Sequence, residues 1–372
     1  DNGTSAYDGG TGVLTLNVGS GGVTATNGAN DLPELYAEDI TITSAGPVGT
    51  GVNPIEFGAG QDDVAITVTG AADGVYADGI NGVSFDAVST TNGAFEVTTA
   101  AGALTLTGAV TTTGGLVDLQ PAGNLLVTTP AGTITTGGGN VTLGGSGTIN
   151  LITGGTIIQT AGGNIDFIRP VVLQADTTLN TGAGGGYVAF TNLATVNGNF
   201  SGNESVTITT GTGSVSFGTS AGGTNGAIGN SVPLKALSVT GGALGFFGPV
   251  TTAGGPGEGT IDVTGTTVDF YRPVTTAGTG TVDITHTALL TIDADADFDL
   301  GGAFTEDGGG GVSTAGNVVT SGDAVTFNGA VTLTDNHNID TTDGGGSAAG
   351  ADVTYASAVD ADTAGIQGLT LN

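Results

Sequence analysis

Phe246-Phe247-Gly248-Pro249-Val250-Thr251-Thr252-Ala253-Gly254 returns downstream as Phe270-Tyr271-Arg272-Pro273-Val274-Thr275-Thr276-Ala277-Gly278, at a shift of 24. After it, Gly259-Thr260-Ile261-Asp262-Val263-Thr264 returns as Gly280-Thr281-Val282-Asp283-Ile284-Thr285, now at a shift of 21. The missing residues correspond to Pro256-Gly257-Glu258, an insertion confined to one turn. Weaker copies stand at Phe167-Ile168-Arg169-Pro170-Val171, Leu106-Thr107-Gly108-Ala109-Val110 and Phe327-Asn328-Gly329-Ala330-Val331. A unit this small, holding three short apolar segments, cannot bury its own apolar face. Stacked on its like, it gains a neighbour above and below and a continuous core. The repeat therefore predicts an all-β chain, a parallel β-helix (β-solenoid) of about 16–17 coils of about 21–24 residues.

The rest of the chain has the same texture. Ile40-Thr41-Ile42-Thr43, Val64-Ala65-Ile66-Thr67-Val68-Thr69 and Leu104-Thr105-Leu106-Thr107 alternate apolar residues with small or polar ones. Period 2 puts the apolar side chains on one face of a strand and the hydroxyls on the other. Gly, Asn and Asp clusters punctuate these runs, and no stretch has helical periodicity. Residues 1–100 are looser in phase, with longer and more acidic loops, and read as a less regular part of the solenoid. Residues 101–372 read as its regular repeats, in one continuous rod.

Composition removes several functions. The 372 residues include 34 acidic but only three basic side chains, Arg169, Lys235 and Arg272, for a net charge of −31. Phosphate contacts rest on Lys and Arg, so no nucleic-acid groove is expected. The same deficit opposes docking on anionic lipid, and no apolar run reaches the length of a membrane-spanning helix. Cys is absent, and trypsin-like proteases have three basic residues to cut at. Both fit a secreted protein at the cell surface or beyond it.

The element Gly49-Thr50-Gly51-Val52-Asn53-Pro54-Ile55, the recurring Phe-x-Gly-Pro/Ala-Val, and Ile228-Gly229-Asn230-Ser231-Val232-Pro233-Leu234 running on to Val239 resemble giant bacterial exoproteins with β-strand repeats. That group includes filamentous-haemagglutinin-like surface proteins. The resemblance covers most of the chain from about residue 38. It implies a right-handed parallel β-helix, exported to serve adhesion, biofilm or fibre formation, and it carries over no catalytic residues.

Other parallel β-helices act on polysaccharides, so an enzyme is an alternative. Arg169 and Arg272 occupy equivalent repeat positions before Pro, where each is expected to neutralise nearby carboxylates at a corner. His286 and His337 lie in separate strands with no nucleophile pattern around them and read as ordinary strand residues. No catalytic site is expected and no cofactor is required. The densest local chemistry is Ile292-Asp293-Ala294-Asp295-Ala296-Asp297-Phe298-Asp299-Leu300. As one strand it would turn Asp293, Asp295, Asp297 and Asp299 to a single outer face, four like charges that Ca²⁺ could bridge. Thr-x-Thr pairs such as Thr41/Thr43 and Thr105/Thr107 recur too irregularly for a flat ice-binding face.

At one end Val13, Leu14, Leu16 and Val18 lie in a strand-like run, and Leu369 and Leu371 lie in another at the other end. Neither shows a polar cap. Terminal strands of this kind offer unpaired N–H and C=O groups to another chain. The expected partner is a second copy, stacked head to tail, with divalent cations and extracellular polysaccharide as further partners. The function expected is an extracellular structural protein of a fibre, biofilm or surface matrix. A stalk segment of a large secreted adhesin is the alternative.

Overall fold

Alternation and glycine-rich punctuation produce short strands, stacked in parallel on the strands one turn away. The computed structural model describes residues 7–8, 12–25, 33–58, 63–128, 133–191, 193–219, 225–255, 258–347 and 349–372. The chain is an all-β solenoid of about fourteen turns, with one short 3₁₀ turn at Gly182–Gly184 among the described residues. It comprises two compact units, Asp1–Val172 with Thr177–Tyr187, and Leu173–Asp176 with Val188–Asn372. Residues 1–100 lie inside the first unit rather than forming one of their own.

In the first unit, strand Phe95–Thr99 lies between Val75–Gly79 and Val117–Gln120, with Phe95 opposite Val75 on one side and Val117 on the other. Val117 in turn faces Val141, and Val141 faces Ile165, so two successive coils advance by the same length as the sequence repeat. In the second unit, Phe246 pairs with Phe270, Val250 with Val274 and Ile261 with Val282, the alignment read from that repeat. Pro256 and Gly257 of the three-residue insertion lie outside the described residues. The turn count is lower than the repeat length implied because some coils are longer. The steps from Ser205 to its partner Ala236, and from His337 to its partner Leu369, both exceed the repeat.

Inward positions form the core. Val141, Leu143, Ile165 and Phe167 are fully buried in the first unit, as are Val250, Ile261, Val263 and Phe270 in the second. Each such side chain contributes about 1.5–3 kcal/mol relative to exposure. In the second unit the rings of Phe190, Phe217, Phe246 and Phe270 stack in sequence, with centroids 4.8, 5.3 and 4.5 Å apart and planes within 15°.

The corners follow a second rule. Thr90, Thr112 and Thr136 occupy matching positions in successive coils of the first unit, and all are buried. The Thr90 and Thr112 hydroxyls donate to the carbonyls of Gly93 and Gly115 at 2.5 Å, and Thr136 and Thr160 donate likewise to Gly139 and Gly163. The turn is thereby closed by a side chain where strand pairing stops. A methyl group on Gly115 would strike the Gly93 carbonyl, and one on Gly139 the Gly115 carbonyl. Close approach of stacked corners fixes glycine there.

Candidate functional site

The Asp run is not one strand. Strand Val282–Ile292 ends before it, residues 294–295 turn, and Phe298–Leu300 begins a new strand. Ala294 is exposed rather than inward, while Ala296, Phe298 and Leu300 are buried. Asp293 Oδ1 accepts the backbone N–H of Asp295 at 3.2 Å, which shapes the turn. Asp295 pairs with Arg272 at 2.8 Å, as the corner reading of that arginine expected. Asp297 Oδ1 accepts the backbone N–H and side-chain amide of Asn317 at 2.8 and 2.9 Å. Asn317 then accepts the N–H of Asn338, which makes Asp297 the first rung of an outer amide ladder. Asp299 stands exposed, opposite Thr275 and Val319. The four carboxylates are thus not gathered into a Ca²⁺ cage, and among the described residues no three His, Cys, Asp or Glu side chains are placed to hold a metal.

Arg169 departs from the expected role, since its Nε donates to the Gly145 carbonyl. The histidines lie inside the core. His286 Nε2 lies 2.8 Å from Glu306 Oε1, with both side chains fully buried. Glu306 Oε2 also accepts the N–H groups of Asn328 and Gly329 at 2.9 and 2.8 Å. Burial pushes this carboxyl up, but the His286 bond and those two N–H groups outweigh it and hold its pKa below the ordinary value. His337 Nδ1 donates to the Gly316 carbonyl at 2.6 Å, and its pKa is lowered by burial, against the opposing pull of that bond.

Of the terminal residues, Val13 is exposed, Leu14 buried, and Leu16 and Val18 half-buried, in a strand whose register runs from Val13 opposite Asp39 to Val18 opposite Ser44. Leu369 and Leu371 pair with His337 and Ile339 and are exposed. Val353 and Val359 are half-buried, whereas their partners one turn in, Val325 and Val331, are buried.

The most distinctive chemistry lies elsewhere, on the outer face of the first unit. Alternation that sends Val75, Ala77, Phe95, Val97, Val117 and Leu119 inward sends Tyr76, Glu96 and Asp118 outward. Register sets those three one above another. A second outward column runs Glu56, Asp78, Thr98, Gln120. Its first two members are buried, and so is Glu34, whose Oε2 accepts the Glu56 N–H at 2.7 Å. Thr98 donates to Asp78 at 3.0 Å. Burial, and the adjacent Glu56 charge, raise the Glu34 pKa against the pull of the Glu56 N–H.

Between the loop holding Thr50, Gly51 and Pro54 and these columns lies a cleft of about 100 Å³. Tyr76, Glu96 and Asp118 line it with Thr98 and Gln120. Gln120 Nε2 donates to Asp118 at 2.7 Å while its own Oε1 accepts the Gly145 N–H at 2.8 Å, so Asp118 is fixed from the side. Glu96 has no hydrogen-bond donor among the described residues, and its pKa is raised by burial and then by the Asp118 charge. Burial and the Glu96 charge raise that of Tyr76. The sequence reading passed over this group. Tyr76, Glu96 and Asp118 are one coil apart in sequence, and the signal was their shared phase in the repeat.

The fold and cleft define a β-solenoid with an acidic, aromatic-walled outer site. No protein-family model matches the chain, and no curated protein or solved structure matches it.

Proposed function

We propose that the protein is an extracellular structural element whose copies stack end to end into a fibre or surface matrix. The carrying observation is that side chains are devoted to neighbouring coils at one register, turn after turn: stacked phenylalanines and amide rungs. Such a unit extends by adding coils. Val353, Val359, Leu369 and Leu371 occupy positions that are covered one turn earlier, and a further coil would bury them. A second copy is the occupant this reading assigns. A further stretch of the same polypeptide is what the stalk reading assigns. The extracellular setting is supported by the scarcity of basic residues, the lack of Cys and the likeness to β-strand-repeat exoproteins.

Electron microscopy of the purified chain, with Ca²⁺ and with EGTA, tests this. Uniform filaments one solenoid wide are expected, unchanged by EGTA because the Asp293–Asp299 carboxylates are engaged by protein groups or solvated. Monodisperse particles in every condition would discard self-assembly in favour of the stalk.

A further inference from the structure

We propose that the cleft beside Tyr76 binds a protonated amino sugar, the unit of a cationic glycan. The proposal deepens the matrix reading and takes from it only the setting.

Charge comes first. Glu96 and Asp118 are adjacent rungs of a parallel ladder, about 4.8 Å apart at the backbone, and like charges so placed repel. None of the three basic residues of the chain lines the cleft. A cation lodged between the two carboxylates would remove that repulsion. A divalent metal is poorly served, since no third carboxylate or imidazole joins them among the described residues. An alkylammonium is better served: it donates three hydrogen bonds, and a carboxylate without a donor and a second one held in place by Gln120 can both accept.

Shape and surface then favour a sugar over a bare amine. Tyr76 supplies an aromatic wall, to which an ammonium or the C–H face of a pyranose is attracted. Thr98, whose hydroxyl donates to Asp78, keeps lone pairs that can accept from a sugar hydroxyl. With about 100 Å³, the cleft admits part of one ring while the rest of a polymer continues along the outer face.

The test is calorimetric titration of the full chain, at about 0.15 M salt to screen bulk attraction, with a glucosamine tetramer, its N-acetylated counterpart and tetralysine. The glucosamine tetramer is expected to bind and the N-acetylated one not to. Glu96→Gln and Tyr76→Ala should each weaken binding about tenfold, equivalent to about 1.4 kcal/mol. The control Asp262→Asn/Asp283→Asn, a stacked acidic pair in the second unit, should leave it unchanged. Equal binding of the N-acetylated tetramer or of tetralysine overturns the proposal, as does equal weakening by the control. Shortening of the tetramer also overturns it, in favour of hydrolysis. The ligand comparison needs no variant, so misfolding of Glu96→Gln cannot mask the answer. Filaments that form without binding would sink this proposal alone; binding without filaments would sink only the assembly.

Discussion

Thr112 and Thr136 are hydroxyls at positions where the alternation calls for a core residue, and each satisfies a turn carbonyl that no strand reaches. Thr112→Val keeps the shape and removes the donor, so it should cost about 1–3 kcal/mol in a denaturant titration. Gly139→Ala should cost more, because its methyl meets backbone rather than a movable side chain. A Thr112→Val variant as stable as the parent would mean that water satisfies Gly115. This rule is present in the sequence as Thr-x-x-Gly at 90, 112, 136 and 160. It escapes a reading by residue type because Thr counts as a strand former and Gly as a turn former, and only their fixed spacing couples them. His337 is a second buried polar group, held below its ordinary 6.5 by burial. Folding therefore favours its neutral form. The stability it contributes is complete above pH 6.5 and is lost as pH falls toward the lower folded value, at about 1.4 kcal/mol per unit of displacement. Glu306, also depressed, has the same sign in a lower window, below its ordinary 4.5. Unfolding free energies at about pH 7.5 and 5.5 should differ less in His337→Leu than in the parent. Equal differences would show that protonation of His337 is not resisted in the fold.

At the scale of strands and ladders, the Phe stack and the Asp run show what period-2 reading captures and what it loses. The repeat alone aligns Phe246 with Phe270, and their rings stack 4.5 Å apart. Phe246 lies between two such partners, so Phe246→Ala should cost about 3–5 kcal/mol, measured by chemical unfolding. Phe247 is only half-buried and stacks on Tyr271, so Phe247→Ala should cost far less. Equal costs would mean that burial in the inner stack contributes no more than the half-exposed outer stack. The run at 293–299 alternates well enough to read as one strand, yet it spans a corner: the small Ala294 fits an exposed turn as readily as a core. Alternation reports which face a residue takes, not where the coil bends. The cleft was illegible for a related reason. Its members share a phase but not a neighbourhood in sequence. Their register depends on individual coil lengths, and the step from Tyr76 to Glu96 is shorter than the step from Glu96 to Asp118.

For the molecule as a whole, the charge sets a condition on the proposed end-to-end contact. With −31 on each chain, two copies approaching end to end repel through solvent before any strand edge can pair. The inward-phase groups that would then be covered, Val353, Val359, Leu369 and Leu371, are apolar, so the attraction they supply is short-ranged and insensitive to salt. Raising ionic strength shrinks the Debye length from about 30 Å at 0.01 M to about 8 Å at 0.15 M, weakening the repulsion and leaving the attraction intact. Association should therefore strengthen with added NaCl, the reverse of what ion-paired interfaces do, and Leu369→Asp with Leu371→Asp should abolish it at every salt concentration. Sedimentation velocity across a salt series reads both effects. Association that weakens with salt would assign the contact to charge pairing. Association that survives the double substitution would place the contact away from the terminal coil.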